Sequence, residues 1–170
     1  MNTNILNLVM SLFLLITFSF GVEAKKKVIE LMVGDTPPHY LGKTSGREKI
    51  DLNDLKGKVV IVFFWASWCK PCLRELPVLD GIQKKLGNKI QIIAVNYKQD
   101  RKLYRQIRHK LKDISLTMLS DPMGSLGRKF GVKTIPNMFM IAKDGTIAYH
   151  GVGYGDKTLE NIINKLNQEL

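Results

Sequence analysis

The fold is decided by the stretch Val59-Val60-Ile61-Val62-Phe63-Phe64-Trp65-Ala66-Ser67-Trp68-Cys69-Lys70-Pro71-Cys72. Its first seven residues are apolar without a break, which predicts a strand that is buried on both faces. The amphipathic segment that follows predicts a helix that begins at the carboxyl end of this strand. The two cysteines of the chain therefore lie at a predicted strand-to-helix junction.

Cys69 is predicted to stand at the N-terminus of this helix. The unpaired backbone N–H groups and the helix dipole there favour a thiolate, which lowers the pKa of the thiol and makes it a nucleophile. Cys72 lies one helical turn further on and can close a disulfide with Cys69. We interpret the pair as redox-active, with a structural disulfide or half of a metal site as the alternatives. Because His39, His109 and His150 lack ligand spacing, we expect no metal and no cofactor beyond a Cys69–Cys72 disulfide.

The length and the net charge of the chain limit the kind of protein it can be. The chain has 170 residues, 45% of them hydrophobic and 24% charged, as in an ordinary globular domain. Lys and Arg outnumber Asp and Glu by 26 to 15, for a formal net charge of +11. This charge suits anionic lipid or acidic partners, although a solvated surface is the simpler interpretation.

The first residues form a segment of their own. Residues 5–20 are almost wholly apolar, and Val22-Glu23-Ala24 and three lysines follow them. This pattern predicts a signal peptide over residues 1–24 and a mature domain over residues 25–170. The alternative is an uncleaved anchor that tethers the domain to the membrane through residues 5–20. Both interpretations place the domain in the periplasm or at the outer face of the cytoplasmic membrane, where nucleic acid is not an expected partner.

The elements next to the motif alternate between strand and helix. A short strand and turn are predicted over residues 49–55, and the helix after the central strand over residues 69–86. Gly87 is its predicted stop, and Pro77 is predicted to kink it. Residues 90–95 form a second buried strand, parallel to the first because a helix crosses between them.

The second half of the chain is predicted as an inserted helix-strand-helix unit, a hairpin and a final helix. Asp100 is predicted to cap a helix with an apolar stripe of Leu103, Ile107 and Leu111. A strand over residues 116–119 and a helix from Asp121-Pro122 to Gly131 follow. Asp144-Gly145 marks the hairpin turn, and Asp156 is predicted to cap the last helix. The apolar stripe of that helix is predicted as Leu159, Ile162, Ile163, Leu166 and Leu170.

The segment from Phe64 to Cys72, together with Thr134-Ile135-Pro136, resembles the thioredoxin superfamily. More narrowly, the chain resembles the TlpA/ResA-like exported thiol-disulfide oxidoreductases from about Val33 to its C-terminus. That match rests on Gly34-Asp35-x-x-Pro38, Leu52-x-x-Leu55-x-Gly57-Lys58, Glu75-x-Pro77 and Lys143-Asp144-Gly145. The element order and the resemblance predict a thioredoxin-like α/β fold, a mixed sheet with helices on both faces, an N-terminal hairpin-like extension and a helix-strand-helix insertion.

The resemblance implies roles for the motif residues. Cys69 attacks a substrate disulfide, and Cys72 then resolves the mixed disulfide. Phe63 stands where thioredoxin carries an aspartate on its central strand, so Glu75 is the candidate acceptor of the Cys72 proton. Helical spacing places Glu75 on the inner side, where burial would raise its pKa. The alternative is a solvated glutamate that pairs with a lysine.

Three further residues are predicted to bind substrate. Pro136 is, by resemblance, the cis-proline that faces the disulfide, and it exposes the backbone of Ile135 for pairing with an extended peptide. An ordinary trans proline is the alternative. Trp68 is predicted to be exposed in the docking surface beside Cys69, or else to be a packing residue.

The resemblance implies an exported enzyme that reduces protein disulfides, such as those of apocytochrome c, with electrons from a membrane thiol donor. The alternatives are a disulfide-forming oxidant and a metal-delivery module of the Sco type. The Sco-type proteins share the fold but use a Cys-x-x-x-Cys pair and a histidine, so the spacing here is one residue short.

Overall fold

The computed structural model describes residues 31–170, apart from the side chains of residues 156–158. The predicted signal peptide or anchor of residues 1–24 lies outside the described residues. Within residues 31–170, every helix is too short or too polar to cross a membrane.

A five-stranded mixed sheet forms the centre of the domain. Its strands are β3 (Val59–Trp65), β4 (Ile90–Tyr97), β5 (Thr117–Asp121), β6 (Asn137–Ile141) and β7 (Ile147–Val152), in the order β5-β4-β3-β6-β7. β3, β4 and β5 are parallel, whereas β6 runs antiparallel to both β3 and β7. All seven residues of β3 are buried, as its apolar sequence predicts. A separate antiparallel hairpin precedes the sheet, formed by β1 (Tyr40–Lys43) and β2 (Lys49–Asp51).

Helices cover both faces of the sheet. They are α1 (Lys70–Leu86), α2 (Arg101–Lys110), α3 (Ser125–Lys129) and α4 (Asp156–Glu169). Apolar residues of α1, α2 and α4 pack in one core cluster with Phe63 and Trp65. On the opposite face, α3 and the β1–β2 hairpin pack in a second cluster with Phe64. The predicted mixed sheet, its hairpin extension and its α2-β5-α3 insertion are thus confirmed.

The apolar stripe of α2 differs from the prediction by one residue. Asp100 caps the helix as expected, since its carboxylate accepts hydrogen bonds from the backbone N–H groups of Lys102 and Leu103. However, Leu103 is 52% exposed, and Tyr104 is buried in its place. Both residues are apolar and adjacent, so helical spacing alone could not decide which one faces the sheet.

The start of α3 was predicted four residues too early. Asp121 is the last residue of β5, and its carboxylate accepts hydrogen bonds from the Gly127 N–H at 2.9 Å and the Ser125 hydroxyl at 3.1 Å. The chain turns at Gly124, where φ is +65°, and the helix begins at Ser125. Asp121 therefore supports the helix from the end of a strand rather than as its first residue.

The N-cap and the apolar face of the last helix differ from the prediction. Its N-cap is Gly155, and Asp156 is its first helical residue. Ile162 and Leu166 are buried as predicted, whereas Ile163 and Leu170 are exposed. Helix α4 thus presents a narrower apolar face to the sheet than the sequence pattern predicts.

Candidate active site

The two cysteines form a disulfide where β3 passes into α1. Cys69 is the N-cap of the helix, and Cys72 lies in its first turn. The Cys72 backbone N–H donates to Cys69 Sγ at 3.2 Å, so a helix N–H group points at the first sulfur. Cys69 is 5% exposed and Cys72 is fully buried. A substrate can therefore approach only the sulfur of Cys69, which the helix start favours as a thiolate.

Glu75 lies one helical turn beyond Cys72 and faces the sheet. Its side chain is only 2% exposed, and no protein group hydrogen-bonds its Oε2 atom among the described residues. Burial raises the pKa of this carboxyl from its usual 4.5 to about 7. The alternative of a solvated glutamate paired with a lysine is therefore wrong. The role of Glu75 as proton acceptor for Cys72 stays a prediction.

Tyr149 is a neighbour of Glu75 that the sequence analysis missed. Met138 pairs with Phe63 on one side and with Gly151 on the other, on the sheet face that α1 covers. The Tyr149 side chain extends along β7 over Gly151, because a Cβ atom at position 151 would lie 2.7 Å from the Tyr149 hydroxyl oxygen. Burial of the Tyr149 hydroxyl raises its pKa most, and the negative charge of Glu75 raises it further. The phenol thus lies within electrostatic reach of the buried carboxyl.

The predicted docking residues lie at the same end of the sheet. The Ile135–Pro136 peptide bond is cis, and Asn137 follows it in register with Phe64 near the end of β3. The Pro136 carbonyl accepts a hydrogen bond of 2.9 Å from the Gly153 N–H. Ile135 is half-buried and contacts both core clusters. The trans alternative for Pro136 is wrong, and substrate binding at this edge stays a prediction.

The two tryptophans of the motif have opposite environments. Trp68 is 66% exposed, whereas Trp65 is fully buried. The packing alternative for Trp68 is therefore wrong. An exposed indole immediately before Cys69 is available to contact a substrate.

The loop that carries Ser67 and Trp68 is fastened by a side chain that the sequence analysis did not identify. Gln99 Oε1 accepts from the Ser67 N–H at 2.9 Å and from Asn96 Nδ2 at 2.8 Å, and Gln99 Nε2 donates to the Ser67 hydroxyl. Polar residues just after a buried parallel strand are a signal that could have identified Gln99, because strand ends of this kind meet at one edge.

The described part of the chain holds no cluster of three or more His, Cys, Asp or Glu residues suited to a metal ion. The histidines lie apart. His39 contacts Asp51 at 3.1 Å, and His150 stacks on Phe139 with ring centroids 4.2 Å apart. His109 lies in the last turn of α2. The structure thus does not bring the histidines to the two cysteines.

A disulfide at the start of the helix that follows the central strand, with a cis-proline at the neighbouring strand, defines a thiol-disulfide oxidoreductase of the thioredoxin fold. Residues 32–166 match the Redoxin family, and the chain belongs to this family.

Similar proteins agree with this class. The chain is 31% identical over 144 residues to the thioredoxin-like protein YneN of Bacillus subtilis (strain 168), covering 84% of this chain and 83% of YneN. It is 30% identical over 148 residues to the thiol-disulfide oxidoreductase ResA of Bacillus cereus (strain ATCC 10987 / NRS 248), covering 86% of this chain and 84% of ResA. A crystal structure of a putative thiol:disulfide interchange protein DsbE from Chlorobium tepidum superposes with a TM-score of 0.73 at 28% identity, covering 82% of this chain and 99% of that one. The predicted enzyme class, a thiol-disulfide oxidoreductase similar to ResA and DsbE, is confirmed.

Proposed function

We propose that this protein is an exported reductant of protein disulfides and that its Cys69–Cys72 dithiol is its only redox group. The observation that carries the proposal is Glu75, a carboxyl that is buried on the same helix face as Cys72 and has a pKa of about 7. A base with that pKa can take a proton from a buried thiol near neutral pH. A disulfide with a purely structural role has no use for such a group.

The reaction has two exchange steps. The Cys69 thiolate attacks one sulfur of the substrate disulfide, and the other substrate sulfur leaves as a thiolate and takes a proton from solvent. The Cys72 thiol then gives its proton to Glu75 and attacks Cys69 Sγ, which releases the second substrate sulfur as a thiolate. Two electrons thereby pass to the substrate, and the protein is left with the Cys69–Cys72 disulfide that the structure shows.

Two features support a peptide substrate. Ile135 and Pro136 directly precede β6 at the end of the sheet where β3 leads to Cys69, and the resemblance supports pairing of an extended peptide with the backbone there. Trp68 directly precedes Cys69 in the chain, is exposed and offers an apolar contact. We propose that the substrate contacts both features when Cys69 attacks its disulfide.

The cellular setting is proposed from the sequence. The apolar residues 5–20, followed by Ala24 and three lysines, support export to the periplasm or the outer membrane face, by a cleaved signal over residues 1–24 or by a tether. The resemblance to TlpA/ResA-like proteins supports apocytochrome c as a substrate and a membrane thiol protein as the electron donor. These would make the protein a component of c-type cytochrome maturation.

A redox titration that also follows both thiol pKa values tests this proposal. We expect a reduction potential near that of thioredoxin, about −270 mV, rather than the value of about −120 mV typical of a strong oxidant. The Glu75→Gln variant should shift the titration of Cys72 and slow release of the mixed disulfide, whereas exposed Glu160→Gln should do neither. A potential near the oxidant value would reverse the proposed direction of electron flow. Stoichiometric copper binding by the dithiol would instead favour metal delivery.

The Cys72→Ala variant gives a second test of the same mechanism. Because it lacks the resolving thiol, it should accumulate a mixed disulfide between Cys69 and a substrate protein. Cys69→Ala, the matched control, should accumulate none. If Cys72→Ala fails to trap a disulfide-bonded peptide that the wild-type protein reduces, the assignment of Cys69 as nucleophile is wrong.

A further inference from the structure

A basic groove lies beside β5, at the edge of the sheet opposite β7. It has a volume of about 540 Å³ and lies between the tip of the β1–β2 hairpin and α2. Its lining includes Lys43, Arg101, Tyr104, Arg105 and Ser120. The proposed exchange reaction uses none of them.

The charges of the groove have one sign. Lys43, Arg101 and Arg105 contribute three cations, and no carboxylate is among the residues that line it. Among residues 31–170, none of these three side chains forms an ion pair. Asp100 lies outside the lining of the groove, and its carboxylate accepts hydrogen bonds from the first N–H groups of α2. Those N–H groups and, to a smaller extent, the charge of Arg105 lower the pKa of Asp100, so Asp100 offsets part of the Arg105 charge. The groove therefore presents cationic donors whose charge no groove residue neutralises.

The buried end of the groove offers hydroxyl groups. Tyr104 is 4% exposed, yet its hydroxyl has no hydrogen-bond partner in the described protein, and the same is true of the Ser120 hydroxyl. Buried polar groups in native structures are almost always partnered, so two such hydroxyls at one place indicate a ligand or a water. Hydroxyl and guanidinium donors together favour an acceptor with negative charge.

The groove and the dithiol share one end of the sheet. Trp65 pairs with Asn96, and Asn96 pairs with Ser120, so one row of residues crosses β3, β4 and β5. The two strand spacings between Trp65 and Ser120 amount to about 10 Å. Cys69 follows shortly after Trp65, and about three residues of an extended peptide would span such a distance.

We propose that this groove binds a carboxylate side chain of the protein substrate, an Asp or Glu about three residues from the cysteine that Cys69 attacks. This inference rests on the proposed function, because it assigns a preference to the same exchange reaction. The guanidinium of Arg105 and the hydroxyl of Tyr104 donate to the carboxylate, and Lys43 and Arg101 add charge at the opening. The substrates are therefore proteins with acidic residues next to their reducible disulfide.

The test uses two disulfide-bonded peptides that are identical except for glutamates or glutamines at the second to fourth positions from one cysteine. In a single turnover, the pre-reduced protein should reduce the acidic peptide about tenfold faster than the neutral one, as measured by the second-order rate constant. Arg105→Gln should bring this ratio to within about twofold and leave the rate for the neutral peptide unchanged. Tyr104→Phe, which keeps the buried ring, should lower the ratio as well.

Lys102→Gln is the matched control, because it removes one exposed charge from α2 without altering a residue that lines the groove. It should keep the preference for the acidic peptide. Equal rates for the two peptides in the wild-type protein would overturn the proposal. A loss in Lys102→Gln as large as that in Arg105→Gln would also overturn it, since the preference would then come from overall charge.

A binding measurement separates the groove from the redox reaction. If the reduced protein reduces neither peptide, the proposed function fails, and the groove is then judged on the oxidised protein with a cysteine-free acidic peptide. Binding that Arg105→Gln and Tyr104→Phe weaken and Lys102→Gln leaves intact supports the site. Equal binding by all variants overturns it, and so does Arg105-dependent binding to phosphatidylglycerol vesicles without binding to the peptide.

Discussion

The side-chain oxygen of Gln99 accepts a hydrogen bond of 2.9 Å from the backbone N–H of Ser67. The same oxygen accepts from the Asn96 amide, so one glutamine connects the end of β4 to the loop between β3 and α1. That loop carries Trp68 and ends at Cys69. The loop before the nucleophile is therefore held by a residue that follows the next strand, β4, as well as by its own contacts.

Gln99→Leu should loosen this loop. The substitution leaves the Ser67 N–H and the Asn96 amide without their acceptor, which should lower the free energy of unfolding by about 1–3 kcal/mol. Denaturant unfolding measures that loss, and hydrogen exchange at the Ser67 amide reports on the loop itself. Exposed Gln106→Leu on α2 is the control and should change neither. An unchanged exchange rate at Ser67 would contradict the role assigned to Gln99.

Glu75 should make stability depend on pH. The folded-state pKa of about 7 lies above the usual 4.5, so between these values the folded protein binds more protons than the unfolded chain. Its free energy of unfolding should therefore fall as pH rises from about 4.5 to about 7, by about 3 kcal/mol in total, and this contribution should then level off. Denaturant unfolding of the oxidised protein across this range measures the fall.

Glu75→Gln removes the titrating group and should flatten this part of the pH profile. Glu160→Gln, an exposed position on α4, should keep the wild-type slope. Parallel profiles for wild type and Glu75→Gln would mean that Glu75 is not the buried acid that the structure shows.

Gly127→Ala should destabilise the protein. A Cβ atom at position 127 would lie 2.2 Å from Cε2 of Tyr97, a buried ring whose hydroxyl donates to the Val132 carbonyl. Either the ring or α3 must shift, at a cost of about 1–3 kcal/mol of unfolding free energy. Gly81→Ala in α1 meets no atom within 4 Å and should instead stabilise by about 0.5–1 kcal/mol. Equal effects of the two substitutions in thermal unfolding would refute the steric argument.

Asp80→Ala should separate α1 from the segment before β5. The Asp80 carboxylate accepts from the Ser115 N–H at 2.8 Å and from the Ser115 hydroxyl at 2.7 Å, and Lys84 lies 2.6 Å away. Its removal breaks both hydrogen bonds, but Ser115 is exposed and water can replace the acceptor, so the free energy of unfolding should fall by about 1–2 kcal/mol. Asp80→Asn retains an acceptor and should cost less. A loss of equal size in both variants would point to charge rather than hydrogen bonding.

Local patterns predicted the parts of the fold that depend on neighbouring residues. The apolar run of residues 59–65 is enough to indicate a buried strand, and helical spacing from Cys72 is enough to place Glu75 on the inner face. The cis bond before Pro136 came from resemblance, because no local pattern distinguishes it from a trans bond. Only the structure could exclude the alternatives for Glu75, Pro136 and Trp68, because side-chain burial and the isomer of a peptide bond are properties of the folded chain.

The errors in the helices have a common physical cause. Leu103 and Tyr104 fit a helical stripe equally well, and contact with the sheet decided for Tyr104. Asp121 is a residue type that is typical of a helix start. However, it pairs with Tyr97 of β4 and so belongs to β5, and the helix begins only at Ser125. In both cases a contact between segments distant in sequence overrode a local preference.

By itself, the sequence determined that a buried strand enters a helix at Cys69 and that Cys72 follows one turn later, because apolar runs and helical periodicity act over a few residues. Only the tertiary structure decided that Gln99 fastens the loop before Cys69, that Tyr149 extends over Gly151 toward Glu75, and that Arg105 and Ser120 line one groove. These relations depend on strand order and register, which are set by packing between segments far apart in the chain.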